Sequence, residues 1–447
     1  MLARSLNPAR RSLKIALITS AVLATSTSVA AAQISSDSAR TAGWRSDIAY
    51  YLEQVRRQHY VYRSHALPPA MLKAAQQLSA NVPRYSDERM LAEFEHLASF
   101  AGDGHTYMLP FGAQRVTAHM LPLRLYQFSD GLYVVDALDD SANKWIGSRV
   151  LKIGSKNAED VVNAMRPALS VDNRFGYLWV GPPLLSFAGY LEKFAGMVPG
   201  GGVPLTLRTR SGEVVHVNVP LVPAPPLRGI PKLPPSKVSG APAAPLYLKN
   251  VPQNFWFTPL AGDSVLYVQF NQVADAPDES LTAFAGRLGA TLSARPPRTV
   301  IIDVRHNNGG NLTLLTPLVT ALHNYESSRP DARIYVLMGR NTFSAAQVFL
   351  GRMDRETNAT FAGEPSSSRP NFVGEESPVQ LPWSGAIGSI SDRYHETIPG
   401  DKREWIAPSI RYSPSARDYF ANKDQLLDMV LLDSRTAKRR VTSATSP

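Results

Sequence analysis

The sequence predicts an α/β protein whose C-terminal half is built on a mainly parallel sheet. From Ser264 onward, apolar runs such as VLYVQF, TVIIDV and IYVLM alternate with helical stretches such as DESLTAFAGRLGATL. Strands that are apolar throughout and that alternate with helices indicate a parallel sheet covered on both faces. We therefore place an α/β core at residues 263–435, followed by a polar tail at 436–447.

Three other segments are expected before this core. Residues 33–115 alternate apolar and charged residues at helical period, as in SDERMLAEFEHLASF, which predicts an N-terminal helical segment. Residues 116–222 carry short runs such as LRLYQF and LYVVDAL between turn residues, which predicts a β-rich middle domain. Eleven of the 35 prolines lie between Pro220 and Pro259, so we interpret residues 223–262 as an extended, proline-rich linker.

The first 32 residues have the composition of a removable export signal. The run MLARSLNPARRSLK carries four cations and no acids, an apolar run of small residues follows, and Ala30 to Ala32 would suit a signal peptidase. We therefore expect residues 1–32 to be a signal peptide and the mature chain to be periplasmic or secreted.

Composition excludes several classes of function. The chain has no cysteine, which rules out disulfides, thiolate zinc sites and cysteine nucleophiles. Its nine histidines form neither an HExxH pair nor a close cluster with carboxylates, so we expect no metal and no cofactor. The 47 Lys and Arg are scattered rather than gathered on one segment, which argues against a nucleic-acid partner. Beyond the leader, no apolar run is long enough to predict an integral membrane segment.

Two loops at the carboxyl ends of predicted core strands carry residues suited to chemistry. After TVIIDV comes RHNNGGN, in which Gly309 and Gly310 would let backbone amides approach a ligand closely. One strand-helix unit later, GRNTFSAAQVFL places Ser344 where a strand gives way to a helix. Ser344 could simply cap that helix, or it could be a nucleophile exposed on the turn. Adjacent parallel strands would bring the two loops together.

A nucleophilic serine needs a base that folding brings to it. His105, in the glycine-flanked turn GDGHT, is the best candidate because imidazole exchanges protons near neutral pH. A structural role for this histidine is the alternative.

Four ordered motifs together resemble those of the C-terminal processing peptidase and tricorn protease family of serine peptidases. They are DGHT, IIDVRHNNGGN, GRNTFSAAQ and the GEPSSSRPN segment. The resemblance implies a core of the ClpP/crotonase type. It also implies that Ser344 is the nucleophile, and that its oxyanion hole uses the amides of Ala345 and of the glycine pair Gly309 and Gly310.

The same resemblance guides the choice of base. One branch of the family uses a lysine at the position where this chain has Arg369, and an arginine cannot be a base because it stays protonated. Arg369 could instead bind a substrate carboxylate. The tricorn-like branch uses a histidine, which falls on His105, and a late acid, for which Glu404 is our first choice and Asp401 our second.

We therefore expect an exported serine endopeptidase or C-terminal processing peptidase that acts on peptides or proteins, with oligomerisation possible. One alternative is a non-catalytic binding protein of the same fold, similar to the modules of interphotoreceptor retinoid-binding protein, that holds an apolar ligand or a peptide. Another is a scaffold. In the middle domain, VLKIG followed by NAEDVVNAM resembles an element of PDZ-like domains, which capture chain ends by strand addition.

Overall fold

The computed structural model describes residues 37–198, 200–226, 232–238, 242–260, 264–329 and 331–436. The expected signal peptide lies outside these ranges, as does all of the expected polar tail except Thr436. Within the described ranges, no helix combines the length and the apolar character that a bilayer crossing requires.

The N-terminal segment is helical, as its period predicts. Its three long helices are α1 (residues 37–58), α2 (Pro69–Asn81) and α3 (Asp87–Ser99). Helix α3 begins where the sequence favours a start, because the Ser86 side chain accepts a hydrogen bond from the Arg89 amide at 3.0 Å. The helices bury Trp44 and Phe94 in a cluster that also includes Ile390, so the N-terminal segment and the C-terminal half share this hydrophobic cluster.

The middle domain is built on an antiparallel sheet in the order β3-β4-β5-β7-β8, with β6 paired to β5. The short strand β1 (Tyr107–Met108) belongs to the N-terminal segment. The strands that follow it are β2 (His119–Met120), β3 (Leu123–Phe128), β4 (Gly131–Ala137), β5 (Arg149–Ile153), β6 (Lys156–Asn157), β7 (Val203–Arg208), β8 (Val214–Val219) and β9 (Val222–Pro223). The region is less uniformly β than its sequence suggests. Helices pack on the sheet, namely α4 (Ala158–Met165), α5 (Arg174–Leu185) and the single turn α6 (Ala188–Tyr190).

The core sheet has six strands in the order β10-β11-β12-β13-β14-β19, and every neighbouring pair is parallel except β10 with β11. The strands are β10 (Phe255–Leu260), β11 (Val265–Phe270), β12 (Thr299–Asp303), β13 (Arg333–Met338), β14 (Thr360–Gly363) and β19 (Ile410–Arg411). The mainly parallel sheet is therefore confirmed. Strand β10 lies within the range interpreted as linker, so the core begins earlier than expected.

Helices cover both faces of this sheet, as continuous apolar strands predict. They are α7 (Leu281–Ala294), α8 (Thr316–Ser328), α9 (Ala345–Glu356), α10 (Ala416–Phe420) and α11 (Gln425–Thr436). Successive residues of a strand point to opposite faces. Accordingly, Ile302 packs in the cluster of α7, α8 and α9, whereas Ile301 packs against α11.

Four short strands lie between β14 and β19, and one of them pairs with the N-terminal segment. They are β15 (Asn371–Gly374), β16 (Ser377–Gln380), β17 (Ile387–Ile390) and β18 (Arg393–Glu396). Strand β1 pairs with β17, and β15 pairs with β18. Because β1 begins two residues after His105, this pairing brings the GDGHT turn beside the C-terminal half.

Candidate active site

The two loops predicted at one sheet edge are packed against each other. They follow the adjacent parallel strands β12 and β13. The Phe343 amide donates to the Asn307 carbonyl at 3.1 Å. A Cβ added to Gly309 would lie 2.7 Å from the Ser344 Cβ and 3.0 Å from the Ala345 nitrogen. Only glycine permits this approach, which places the glycine loop beside the serine.

Ser344 occupies the N-cap position of α9 without capping it. Its side chain makes no capping hydrogen bond, and its backbone has φ 57° and ψ −125°. Positive φ is uncommon for serine, and strained backbone of this kind costs on the order of 1–3 kcal/mol. The Ser344 amide donates to the Ser368 hydroxyl at 3.2 Å, which helps to hold the turn. The capping interpretation therefore leaves the serine hydroxyl unexplained.

Two backbone amides beside Ser344 are free to bind an oxygen. Within the part of the chain that the structure describes, the amides of Gly310 and Ala345 have no hydrogen-bond acceptor. The Gly309 amide differs, because it donates to the Asn307 side-chain oxygen at 3.0 Å. Gly309 is therefore not the free donor that we expected. Its place in the site comes from the close approach of its backbone to Ser344.

His105 lies buried in the same cleft, with only 1% of its surface exposed. Its ring stacks on Phe343 at 4.3 Å and on Phe372 at 5.3 Å between centroids. Neither ring nitrogen has a hydrogen-bond partner among the described residues, so the Ser344 hydroxyl is not hydrogen-bonded to it. Desolvation lowers the pKa of His105 to about 4, a shift that the nearby charge of Asp103 opposes. The imidazole is therefore neutral at pH 7.

The turn that carries His105 is held by Asp103. This carboxylate accepts the backbone amides of His105 at 2.9 Å and Thr106 at 2.7 Å, and the Ser391 hydroxyl at 2.6 Å. His59 Nε2 lies 2.9 Å from its other oxygen. Because His59 Nδ1 accepts the Val61 amide, Nε2 carries the proton and donates.

Burial would raise the pKa of Asp103, but the hydrogen bonds from His59 and Ser391 hold it below its usual value. Asp103 therefore faces His105 as an anion. We did not predict His59 or Ser391, because neither lies in a recognisable motif and only folding brings them to the GDGHT turn.

None of the three remaining predicted residues is hydrogen-bonded to the His105 ring. The Glu404 side chain is exposed, and Asp401 is bound to Arg403 at 2.6 Å. Since both ring nitrogens of His105 are unpartnered, neither acid orients the histidine as expected. Arg369 is exposed and donates to the Asp172 carbonyl at 3.0 Å, and it does not line the cleft.

The cleft that joins these groups has a volume of about 1080 Å³ and lies between all three parts of the chain. Ser344, Ala345, Gly310 and His105 lie along it. Much of its wall is apolar and includes Leu109, Phe111, Val180, Leu184, Leu312 and Ile387. It is large enough for several residues of an extended peptide. In the described ranges, no group of three or more His, Asp or Glu side chains could hold a metal ion.

No protein-family profile and no curated protein matches the sequence. Solved structures of CPAF share its fold. Mature CPAF complexed with lactacystin aligns with a TM-score of 0.62 and 15% identity, over 88% of this chain and 99% of that chain. A CPAF mutant aligns with a TM-score of 0.61 and 14% identity, over 90% and 99%. The photosystem II D1 C-terminal processing protease aligns with a TM-score of 0.38 and 12% identity, over 85% and 99%. At these identities the likeness to CPAF establishes a shared fold.

Proposed function

We propose that this chain is a serine peptidase that hydrolyses peptide bonds through an acyl-enzyme on Ser344. One observation carries the proposal, namely that three kinds of group line one cleft. They are a serine on a strained turn whose hydroxyl does not cap the helix, two backbone amides without an acceptor, and a neutral histidine without a polar partner among the described residues. The fold shared with CPAF, a protein solved in complex with lactacystin, supports this proposal.

The reaction follows from these positions. His105 accepts the proton of the Ser344 hydroxyl as its oxygen attacks the substrate carbonyl carbon. The amides of Gly310 and Ala345 hold the oxyanion, and each donor of this kind is worth roughly 2.7–4 kcal/mol in comparable sites. The protonated His105 then gives its proton to the leaving amine. Water repeats the sequence on the acyl-enzyme, which releases the acid and restores the serine.

The structure has no hydrogen bond between the Ser344 hydroxyl and the His105 ring. This is compatible with the scheme, because catalytic hydrogen bonds are often long before substrate binds. Asp103 would stabilise the imidazolium through its charge without touching the ring. The cleft also favours the histidine-based branch over the serine–lysine branch, because none of its described lining residues is a lysine. We further propose a ClpP/crotonase-type core, a PDZ-like role for the middle domain in docking peptides, and export through residues 1–32.

The test is covalent labelling with a fluorophosphonate followed by peptide mapping. We expect one adduct, on Ser344, and a loss of peptide hydrolysis of roughly 10⁴–10⁶-fold in both Ser344→Ala and His105→Ala. Ser280 is a matched control, because it caps α7 by accepting the Ala283 amide at 3.1 Å. Ser280→Ala should lose about 1 kcal/mol of stability and keep its activity. Full hydrolysis by Ser344→Ala would refute the proposal.

A non-catalytic carrier of an apolar ligand is the second candidate, and the apolar cleft wall favours it. Trp179 lines the cleft and would report such a ligand. Quenching of its fluorescence by a fatty acid, together with no cleavage of any peptide and no adduct on Ser344, would select the carrier.

A further inference from the structure

The charge of the cleft differs from the charge of the chain. The chain is basic, with 47 Lys and Arg against 37 Asp and Glu. Among the described residues that line the cleft, however, there is no Lys or Arg, and the acids are Glu95, Glu375 and Glu376. A cleft enriched in one sign of charge attracts ligands of the opposite sign.

Glu95 does not contribute to this charge at neutral pH. It is 3% exposed and accepts the amides of Met108 at 2.8 Å and Ser170 at 3.0 Å. Burial raises the pKa of Glu95 to about 8, so the carboxyl group is mostly protonated at pH 7. The remaining acids of the cleft are Glu375 and Glu376. Burial raises the pKa of Glu376, the hydrogen bond from Tyr107 opposes that shift, and the charge of Glu375 adds to it.

These two glutamates lie in the turn between β15 and β16, where neighbours orient them. The Tyr107 hydroxyl donates to Glu376 at 3.2 Å, and His395 Nε2 lies 3.5 Å from Glu375. The Glu375 side chain remains 41% exposed, so it is open to a ligand. Its backbone has φ 60°, which is uncommon for a residue with a side chain.

A row of rings connects this turn to the reacting groups. Phe372 lies 5.3 Å from the His105 ring and 5.1 Å from the His395 ring, between centroids. The acidic turn is thus two ring contacts from His105. The buried ring nitrogens of His105 have no partner in the described structure, so the stretch of cleft beside the two glutamates is also the stretch in which the reacting groups meet the substrate.

We propose that the cleft selects internal segments of polypeptide that combine apolar residues with a lysine or arginine, and that it disfavours a free carboxyl terminus. The apolar wall takes the apolar side chains, while Glu375 and Glu376 pair with the cation. A terminal carboxylate would meet these two anions and no described cation, since Arg369 lies outside the cleft. This inference rests on the proposed peptidase function and makes the enzyme an endopeptidase.

The test separates charge selection from catalysis. Binding of labelled peptides to the Ser344→Ala variant is measured by fluorescence anisotropy, using one apolar sequence with Lys, with Glu, or with norleucine at a single position. Each peptide is made with an amidated end and with a free carboxyl end. At low salt we expect the Lys peptide to bind about fivefold more tightly than the norleucine peptide, and the Glu peptide to bind more weakly.

The double variant Glu375→Gln, Glu376→Gln in the Ser344→Ala background should lose most of this preference. Glu213→Gln, an exposed change in the turn between β7 and β8, should leave it intact. Equal binding of the Lys and Glu peptides, or tighter binding of the free-acid forms than of the amides, would overturn the inference. Failure of the peptidase proposal would show separately, as an absence of cleavage of all these peptides by the wild type.

Discussion

The turns that carry Ser344 and His105 are both held firmly, but by different means. At the serine, polar contacts fix the backbone, since the Phe343 amide binds Asn307 and the Ser344 amide binds Ser368. At the histidine, Asp103 fixes the backbone in a similar way, yet among the described residues the ring makes no hydrogen bond and stacks on aromatic neighbours. The nucleophile is therefore presented by the backbone itself, whereas the base can form its polar contacts when substrate binds.

The largest loss of activity in these tests is expected from a substitution at Gly310, whose amide lies beside Ser344. A Cβ added there would lie 2.2 Å from the Val273 carbonyl oxygen, so Gly310→Ala must move the loop and its free amide. We expect peptide hydrolysis to fall by about 10²–10³-fold. Gly286→Ala is the control, because a Cβ there meets nothing within 4 Å. Comparable losses in both variants, measured as kcat/KM, would contradict a role for the Gly310 amide.

The histidine side is tested next through Asp103, which acts by positioning His105. Asp103→Asn weakens the hydrogen bonds that hold the turn and removes the anion near the ring. We expect kcat to fall by about a hundredfold with little change in KM, because small misplacements of a catalytic group have effects of this size. The acid limb of the pH profile should also move to lower pH. A purely structural role would leave that limb unmoved.

Two variants of His59 test whether this residue affects activity by positioning Asp103 or only by stabilising the fold. His59→Ala would remove one hydrogen bond from the buried Asp103 carboxylate, and a hydrogen bond to a charged group is worth roughly 1.5–3 kcal/mol. His59→Gln keeps an N–H donor, so it should recover most of the stability and more of the activity than His59→Ala. Thermal unfolding and kcat of the two variants measure this difference. Equal activity in both, at temperatures where both are folded, would remove His59 from the network.

Sequence patterns identify some of these residues and not others, for physical reasons. Continuously apolar strands that alternate with helical runs predict the sheet. The rule that adjacent parallel strands end at one edge predicts that the Gly310 and Ser344 loops meet. In the structure neither Glu404 nor Asp401 is hydrogen-bonded to His105. The sequence does not select the acid, because a carboxylate far along the chain is brought to the histidine only by tertiary contacts. The supporting His59 was missed for the same reason. Glu375 was missed because a single glutamate between short strands carries no periodic signal.

The pH dependence of catalysis reports the pKa of the His105 ring. Desolvation lowers the pKa of His105 to about 4, and the base must be neutral to accept a proton. Activity should therefore persist from pH 7 down to pH 5 and fall only as pH approaches 4. A histidine with the ordinary pKa of about 6.5 would lose about thirtyfold by pH 5. Measurement of kcat/KM across this range decides between the two, with thermal unfolding as the check that the fold persists.

The smallest effect on catalysis, and a distinct one on stability, is expected at Glu95. It supports the histidine turn by accepting the Met108 amide, and its pKa is raised from 4.5 to about 8 because it is buried. The folded protein holds Glu95 protonated, whereas the unfolded chain ionises it above pH 4.5. The free energy of unfolding is therefore not reduced by Glu95 below pH 4.5, and it falls as the pH rises from 4.5 towards 8. Wild-type protein should thus lose on the order of a few kcal/mol across this range, and Glu95→Gln should lose less.

Glu93, two residues earlier on α3, provides a control of opposite sign. Burial would raise its pKa, but His96, Lys193 and Arg89 lower it to about 2. Its stabilising contribution is therefore present above pH 4.5 and is lost as pH falls towards 2, so Glu93→Gln should be destabilising at neutral pH and nearly neutral in acid. Unfolding free energies of both variants from pH 3 to pH 9 should change in opposite directions relative to wild type. Parallel curves would mean that Glu95 is not a buried, protonated support of the His105 turn, which would then be held by Asp103 alone.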